Sequence, residues 1–154
     1  MLKSIMGNFD NLEVHDLLIK HFIELRSVSP EGSTHVLDIN GLKDPTIKFW
    51  SLWEQSDLVG SGALKFLNKE HGEFKSIRVS DKFRNKGNGT KVINHLIDEA
   101  EKLNIKKLSL ETGAGEFFQY ARKLFTKSGF KICKPFFHYK NDVNSVYMNL
   151  LISN

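Results

Sequence analysis

Residues 77–90 read Ile77-Arg78-Val79-Ser80-Asp81-Lys82-Phe83-Arg84-Asn85-Lys86-Gly87-Asn88-Gly89-Thr90, and in this stretch a strand-like run ends in a short basic loop before a helix begins at once. The two glycines lack a Cβ atom, so several backbone N–H groups can turn toward one bound group. The start of the helix adds unpaired N–H groups and the positive end of the helix dipole. Lys82, Arg84 and Lys86 add positive charge. The stretch therefore predicts an anion site, and the expected guest is a phosphate or a pyrophosphate.

Two common phosphate-binding motifs differ from this loop. The chain contains neither Gly-x-x-x-x-Gly-Lys-Ser/Thr nor Gly-x-Gly-x-x-Gly followed by an acidic residue about 20 positions later. Taken alone, the loop is therefore open to a second interpretation, a tight turn beside a solvated run of charges. Features elsewhere in the chain are needed to distinguish an anion site from a tight turn of this kind.

The composition indicates a single domain, because 154 residues with 40% hydrophobic and 26% charged side chains are ordinary for one soluble globular unit. No apolar run approaches the ~20 residues that a membrane span needs, and the N-terminus lacks a signal-peptide pattern. The one cysteine, Cys133, excludes an internal disulfide framework and suits a reducing cytoplasm. We therefore expect one cytoplasmic domain over residues 1–154, with no membrane partner.

The charge balance bears on the class of ligand. A net charge of +4 suits an anionic ligand. The positive side chains are scattered rather than packed into one stripe, which disfavours nucleic acid as a partner. No metal site is predicted.

Hydrophobic periodicity predicts an alternation of helices and strands. The predicted strands cover residues 2–9, 47–53, 58–66, 73–79, 106–110, 130–137 and 146–152. The predicted helices cover residues 11–27, 34–42, 117–127 and a segment from residue 87 or 88 to residue 103. This order predicts an α/β fold with one mixed, largely antiparallel sheet and helices on both faces. The strand–helix–strand crossover at the loop should be parallel and right-handed.

Three features of the chain resemble one family. The loop contains Arg84-x-x-Gly87-x-Gly89, which resembles the Gln/Arg-x-x-Gly-x-Gly/Ala signature of the GNAT superfamily of N-acetyltransferases. The order of elements and the Lys127-Ser128-Gly129-Phe130 ending of the last helix resemble the same superfamily, over nearly the whole chain. Further segments look like a small-molecule branch of bacterial members, namely Gly62-Ala63-Leu64-Lys65, Ser109-Leu110-Glu111-Thr112-Gly113 and Pro135-Phe136-Phe137.

The resemblance implies acetyl-CoA as cosubstrate, with its pyrophosphate held by the loop. Backbone groups of Ile77 and Val79 are expected to hold the pantetheine amides. The cofactor-binding residues implied in this way are Ile77, Arg78, Val79, Arg84, Asn85, Lys86, Gly87, Asn88, Gly89 and Thr90.

Acetyl transfer needs a base, because only the free amine attacks the thioester, and it benefits from an acid for the leaving thiolate. Glu73 is the first candidate for the base, since it lies on the strand before the loop, eleven residues before Arg84. Glu111 is the second, at the end of the next strand, where members of the superfamily separate two parallel strands. Each could instead be an ordinary strand carboxylate, Glu73 being paired with a neighbouring lysine. His71 is a weaker candidate.

The last helix departs from the family pattern. Many members carry an Asn near its start and, seven residues later, a Tyr that acts as the general acid. Phe118 and Phe125 occupy these positions here. Phenylalanine has no proton to give, so Tyr139, or Tyr147, is the candidate replacement if the closing strands fold over the thioester. Water is the alternative, because a thiolate of pKa near 8.5 leaves fairly well without help.

Most of the predicted acceptor-binding residues come from the segment that forms one wall of the acceptor cleft in members of the superfamily. Ser29, Glu31 and His35 supply hydrogen-bonding groups there, and Thr112 lies beside Glu111. The same residues would also fit an ordinary helix-breaking turn followed by a helix face.

The sequence therefore predicts an N-acetyltransferase that moves an acetyl group from acetyl-CoA to a small amine or amino-acid-like acceptor. Direct attack in a ternary complex is favoured over an acyl-enzyme, because no serine or cysteine has a recognisable base partner. The alternative is a non-catalytic domain that binds or senses acyl-CoA, suggested by Phe125. A monomer and a homodimer both remain open.

Overall fold

The structure of the protein, a computed structural model, describes residues 1–30 and 36–152. The strands are β1 (Lys3–Met6), β2 (Ile47–Glu54), β3 (Asp57–Phe66), β4 (His71–Val79), β5 (Lys107–Gly113), β6 (Lys131–Cys133) and β7 (Ser145–Leu151). The helices are α1 (Leu12–Val28), α2 (Ile39–Leu42), α3 (Asn88–Lys102) and α4 (Gln119–Lys127). Short 3-10 turns cover Asp81–Phe83 and Glu116–Phe118.

The seven strands form one sheet in the order β1-β2-β3-β4-β5-β7-β6. The pair β4–β5 is parallel, and the five other neighbouring pairs in this order are antiparallel. Helix α3 connects the two parallel strands, as a crossover of that kind requires. The predicted mixed, largely antiparallel sheet with one parallel crossover at the loop is confirmed.

Helices cover both faces of the sheet, as predicted. The apolar side of α1, with α2, packs on one face, in a buried cluster of Val14, Leu17, Leu18, Leu42, Phe49, Leu58 and Ala63. Helices α3 and α4 pack on the other face, in a larger cluster that includes Trp50, Leu64, Phe74, Val92, Leu96, Leu108, Phe125 and Phe130. The neighbouring residues Ala63 and Leu64 belong to different clusters, because successive side chains of a strand point to opposite faces.

Three predicted elements are shorter in the structure. The strand predicted over residues 2–9 forms only over Lys3–Met6, because Gly7 and Asn8 have left-handed φ values of +77° and +63°. The strand predicted over residues 130–137 forms only over Lys131–Cys133, because Pro135 has no N–H for a ladder and Phe137 has a left-handed φ of +57°. Of the helix predicted over residues 34–42, only Ile39–Leu42 is helical. The extended Asp38 caps it by accepting a hydrogen bond from the Gly41 N–H, and residues 34 and 35 lie outside the described residues.

An extra residue interrupts β4 near its middle. From the pair Ser61–Arg78 to the pair Ala63–Lys75, β3 advances by two residues and β4 by three. Ser76, within this bulge, has a left-handed φ of +53°. A bulge of this kind bends its strand and increases the local twist.

The bulge coincides with the point where β4 and β5 separate. Their parallel pairing runs from His71–Lys107 to Phe74–Leu110. Beyond it, β5 continues against β7 as far as Gly113, while β4 continues against β3 as far as Val79. The sheet therefore opens between the last residues of β4 and β5.

Helix α3 lies directly on the sheet at Gly62. A Cβ atom on Gly62 would lie 2.3 Å from Cδ1 of Leu96, which is fully buried. The missing side chain is what lets the helix approach β3 so closely.

We expect Leu96→Ala to lower the free energy of unfolding by roughly 2–5 kcal/mol, because it leaves a cavity in the core. Gly62→Ala alone should cost roughly 1–3 kcal/mol through overpacking. The double variant should cost less than the sum, since the added methyl group enters the space that Leu96 leaves. Urea unfolding measures all three, with the exposed Leu12→Ala as control. Additivity within about 0.5 kcal/mol would contradict the direct contact.

Candidate functional site

A cavity of about 400 Å³ occupies the gap between β4 and β5. Its walls come from the end of β4, the loop before α3, the C-terminal half of α1, and α4. It brings together six of the predicted cofactor-binding residues, which are Ile77, Arg78, Val79, Arg84, Asn85 and Gly89. Its apolar part is lined by Phe74, Ile93, Leu110, Ala121, Leu124 and Phe125. The cavity thus combines a basic loop with an apolar slot between two parting strands.

The loop has the backbone geometry of an anion site. Asn85 and Gly87 are left-handed, with φ of +61° and +79°, and Gly87 is the N-cap of α3. A Cβ atom on Gly87 would meet nothing within 4 Å, so the space beside it is open. The first N–H groups of α3 have no intrahelical acceptor, and the positive end of the helix dipole lies there. These features fit the pyrophosphate of an acyl-CoA. Lys86, Asn88 and Thr90 lie beside them in the loop and the first turn.

Gly89 has a second reason to be glycine. A Cβ atom there would lie 2.5 Å from Cδ1 of Leu124 on α4. Gly89 therefore lets α3 and α4 pack closely where both line the cavity. A larger residue at this position would disturb helix packing as well as ligand binding.

Two arginines of the predicted cofactor set are held by Glu24 of α1. Arg78 is buried, and its guanidinium donates to the two carboxylate oxygens of Glu24 at 3.1 and 3.4 Å. Nε of Arg84 donates to the Val79 carbonyl at 3.2 Å, and its Nη2 lies 3.8 Å from Glu24. Arg78 therefore anchors α1 to β4 through its side chain, while Arg84 fastens the loop to the end of β4.

His21 lies beside this ion pair. Its Nδ1 is 3.5 Å from Nη1 of Arg78, and the residue is 7% exposed. Burial first, and then the charge of Arg78, lower the pKa of His21 to about 4. The imidazole is therefore neutral at neutral pH.

Glu73 and Tyr139, two of the three predicted catalytic residues, contact each other. The Tyr139 hydroxyl donates to Oε2 of Glu73 at 2.6 Å, and Nζ of Lys75 lies 3.2 Å from both of these oxygens. Glu73 is 2% exposed. Burial, followed by the Glu73 carboxylate, raises the pKa of Tyr139. The described lining of the cavity between β4 and β5 includes Lys75 but neither Glu73 nor Tyr139.

Glu111, the third predicted catalytic residue, has a different position. It is half-buried, and the Ser145 hydroxyl donates to its Oε2 at 2.8 Å. It lines the first cavity and also a second one, of about 310 Å³, beyond the end of β5. Glu111 therefore lies where the two cavities meet. His71, the weaker candidate, instead makes a 2.7 Å hydrogen bond with the Ser109 hydroxyl.

The second cavity includes part of the predicted acceptor wall. Ser29 and Thr112 line it, together with Leu25, Val28, Pro30, Val36, Glu111, Gly113, Gly115, Glu116, Phe117, Phe118 and Asn144. Glu31 and His35 lie outside the described residues. The structure thus brings Ser29 and Thr112 into the lining of one cavity, although 83 positions separate them in the sequence.

Helix α4, which departs from the family pattern, contributes aromatic side chains to the wall of the first cavity. Phe125 is buried and packs edge-on against Phe130 at a centroid distance of 5.6 Å. Phe118 and Tyr120 also line the cavity. Tyr120 lies five positions before Phe125 on α4, and the cavity is wide enough for both to line it.

Among the residues of these walls to which sequence reasoning gave no role in the site are Glu24, Lys75, Glu116 and Tyr120. Lys75 had a usable signal, because it is two residues from Glu73 and so shares its face of β4. Glu24 gave none, since its partner Arg78 is 54 residues away.

Two negative findings concern the described residues. Within residues 1–30 and 36–152, no group of three or more His, Cys, Asp or Glu residues is placed to hold a metal ion. In the same part of the chain, no helix is long and apolar enough to cross a membrane.

A family model described as the acetyltransferase (GNAT) family matches residues 11–130. The chain is 45% identical over 136 residues to a Bacillus subtilis protein named Uncharacterized N-acetyltransferase YsnE, covering 88% of this chain and 90% of that protein. A Bacillus subtilis acetyltransferase solved in complex with CoA has a TM-score of 0.72 at 20% identity, over 99% of this chain and 100% of that one. A Vibrio cholerae spermidine N-acetyltransferase, solved with CoA and spermine, has a TM-score of 0.70 at 19% identity, over 98% and 94%.

His21 predicts a pH dependence of stability. Its pKa is about 4 in the folded chain and ordinarily 6.5, so between these values the unfolded state binds more protons. Stability should therefore fall as the pH falls from about 6.5 to about 4, by on the order of 3 kcal/mol. His21→Asn removes this contribution, and its free energy of unfolding should change less over that range. Urea unfolding at several pH values checks this, with the half-exposed His15→Asn as control. Identical pH profiles for His21→Asn and wild type would refute it.

Proposed function

The chain belongs to the acetyltransferase (GNAT) family. We therefore propose that it moves an acetyl group from acetyl-CoA to the amine of a small molecule, and that the amine attacks the thioester directly in a ternary complex. One observation carries the proposal. The gap between β4 and β5 holds a cavity that reaches from the basic loop to Glu111, where a second cavity begins. Two substrates can therefore approach one point from two sides.

The cosubstrate supplies the activated acyl group as a thioester. Its pyrophosphate fits the left-handed Gly87 and the N-terminus of α3, where N–H groups and the helix dipole favour an anion. Backbone groups of Ile77 and Val79 are proposed to hold the pantetheine amides, since both residues line the gap beside the bulge. The Bacillus subtilis acetyltransferase of similar fold that was solved in complex with CoA supports this class of cosubstrate.

Glu111 is the proposed base. It lines both cavities, so an amine in the second cavity and a thioester in the first would both lie beside it. The hydrogen bond from Ser145 fixes one carboxylate oxygen. Glu73, the first candidate from the sequence, is less well supported, because it is buried and one of its oxygens already accepts from Tyr139 and Lys75.

The ammonium first gives one proton to Glu111, which passes it to solvent. The free amine nitrogen then bonds to the acyl carbon. As the carbon–sulfur bond breaks, the nitrogen gives its second proton to Glu111 and the sulfur leaves as a thiolate. Phe125 has no proton to give. Lys75 lines the first cavity, so we assign it or water to protonate the sulfur. Tyr139 acts in this scheme by donating to Glu73, which positions Lys75.

The alternative, a domain that senses acyl-CoA without catalysis, rests on Phe125. The named activity of the matched relatives favours an enzyme. Two measurements distinguish the enzyme from the sensing domain. One follows thiol release from acetyl-CoA with a panel of primary amines, and the other measures CoA binding by calorimetry. We expect amine-dependent thiol release. CoA binding without release for any amine would favour the sensing domain.

The loop assignment predicts a large effect of Gly87→Val. The position is open, so the fold should survive, but a β-branched residue does not tolerate a φ of +79°. The loop must change shape, and CoA affinity should fall more than tenfold, about 1.4 kcal/mol. Gly115→Val is a matched control, because Gly115 is equally open, has a φ of −72° and lines only the second cavity. Unchanged CoA binding by calorimetry in Gly87→Val would disprove the assignment.

The base assignment predicts that Glu111→Gln lowers kcat by roughly 10²-fold or more, with little change in the affinity for acetyl-CoA. Glu73→Gln keeps the shape of the buried cluster and should lower kcat much less. Steady-state kinetics with both substrates, and calorimetry of acetyl-CoA, measure the two effects. Wild-type turnover by Glu111→Gln together with a defective Glu73→Gln would reverse the assignment.

A further inference from the structure

We propose that the acceptor carries two cationic groups joined by an apolar spacer, as an α,ω-diamine does. The inference rests on the proposed function and narrows its acceptor class. It starts from the charges and the apolar surface of the second cavity, where the acceptor would lie.

The charged residues among the described lining of the second cavity are both acidic, Glu111 and Glu116. Arg122 is not among the described lining residues, and its Nη1 donates to the backbone carbonyls of two residues that are, Gly113 and Gly115, at 2.7 and 2.9 Å. The described wall therefore favours a positively charged guest. The carboxylate of an amino acid would find no cationic partner among these lining residues.

The two carboxylates occupy different parts of the cavity system. Glu111 lies at the end of β5 and lines both cavities, so it faces the amine that reacts. Glu116 lies in the 3-10 turn Glu116–Phe118 and lines only the second cavity, away from the thioester. One carboxylate thus serves the reacting nitrogen, and the other remains for a second positive group.

The rest of the described wall suits a hydrocarbon spacer. The apolar residues of this lining include Leu25 and Val28 of α1, Val36 and the ring of Phe117. A volume of about 310 Å³ is at the small end of ligand pockets, so a short acceptor fits better than a long one. Apolar methylene groups gain by contact with such surfaces.

The test compares three acceptors of similar length, 1,5-diaminopentane, 1-aminopentane and 5-aminopentanoate, by thiol release from acetyl-CoA. We expect kcat/KM to be highest for the diamine, at least about fivefold lower for the monoamine and lowest for the amino acid. The preference for the diamine should shrink as salt is added, because Glu116 is exposed and its charge is screened.

The variant Glu116→Gln should lower the diamine-to-monoamine ratio of kcat/KM roughly two- to fivefold, as expected for an exposed ion pair. Glu101→Gln is the matched control, because it removes one exposed carboxylate on α3, on the other face of the sheet. A melting temperature for each variant shows that it is folded.

The outcomes separate this inference from the proposed function. If neither these three acceptors nor any other amine causes thiol release from acetyl-CoA, the proposed acetyltransferase activity is wrong, and the proposed acceptor class is wrong with it. If the monoamine or the amino acid reacts at least as well as the diamine, only the acceptor class is wrong. An unchanged ratio in Glu116→Gln would overturn the role of Glu116 in binding the second cation.

Discussion

An extra residue in β4 lies where this strand bends away from β5, and the first cavity occupies the gap between the two strands. Ser76 takes a left-handed φ of +53° there, which costs a non-glycine residue about 1–2 kcal/mol. Regular pairing with β3 on both sides of the bulge holds Ser76 in place. Without the bulge, the pairing of β4 with β5 would continue past Phe74 and Leu110, and hydrogen bonds would close the space that a thioester needs. The strain is therefore located where the substrate gap opens.

A second constraint fixes the opposite wall of that gap. Helix α1 packs on the sheet through apolar contacts, but its C-terminal half is tied to the bulged strand by the Arg78–Glu24 ion pair. Burying the guanidinium of Arg78 is costly, and the Glu24 carboxylate offsets that cost by accepting two hydrogen bonds from it. The pair therefore specifies one position of α1 relative to β4. Because Leu25 follows Glu24 and lines both cavities, this position also sets where the two cavities meet.

Much of this fold was predictable from the sequence, because its signals are local. The loop around Gly87 and the period of α3 can be recognised within a single turn or helix. The end of β6 at Cys133 was also predictable in principle, since Pro135 has no N–H to donate to a neighbouring strand. The site was less predictable, because its contacts join distant positions. Tyr139 is 66 residues from Glu73, and no local pattern indicates that its hydroxyl covers this carboxylate. Gly89 shows the same limit, because its contact with Leu124 depends on how two helices pack.

The distinction between Glu73 and Glu111 depends on access. Both lie on the same face of neighbouring strands, so the sequence pattern alone treats them alike. Tyr139 and Lys75 cover Glu73 with hydrogen bonds, and a substrate amine would have to displace them to reach it. Glu111 lies two residues farther from the closed end of the parallel pair, which places it past the point where the strands separate. A carboxylate takes a proton from an amine only within hydrogen-bond reach of it. In the mechanism that we propose, the separation of the strands at the bulge therefore also determines which of the two carboxylates takes the proton.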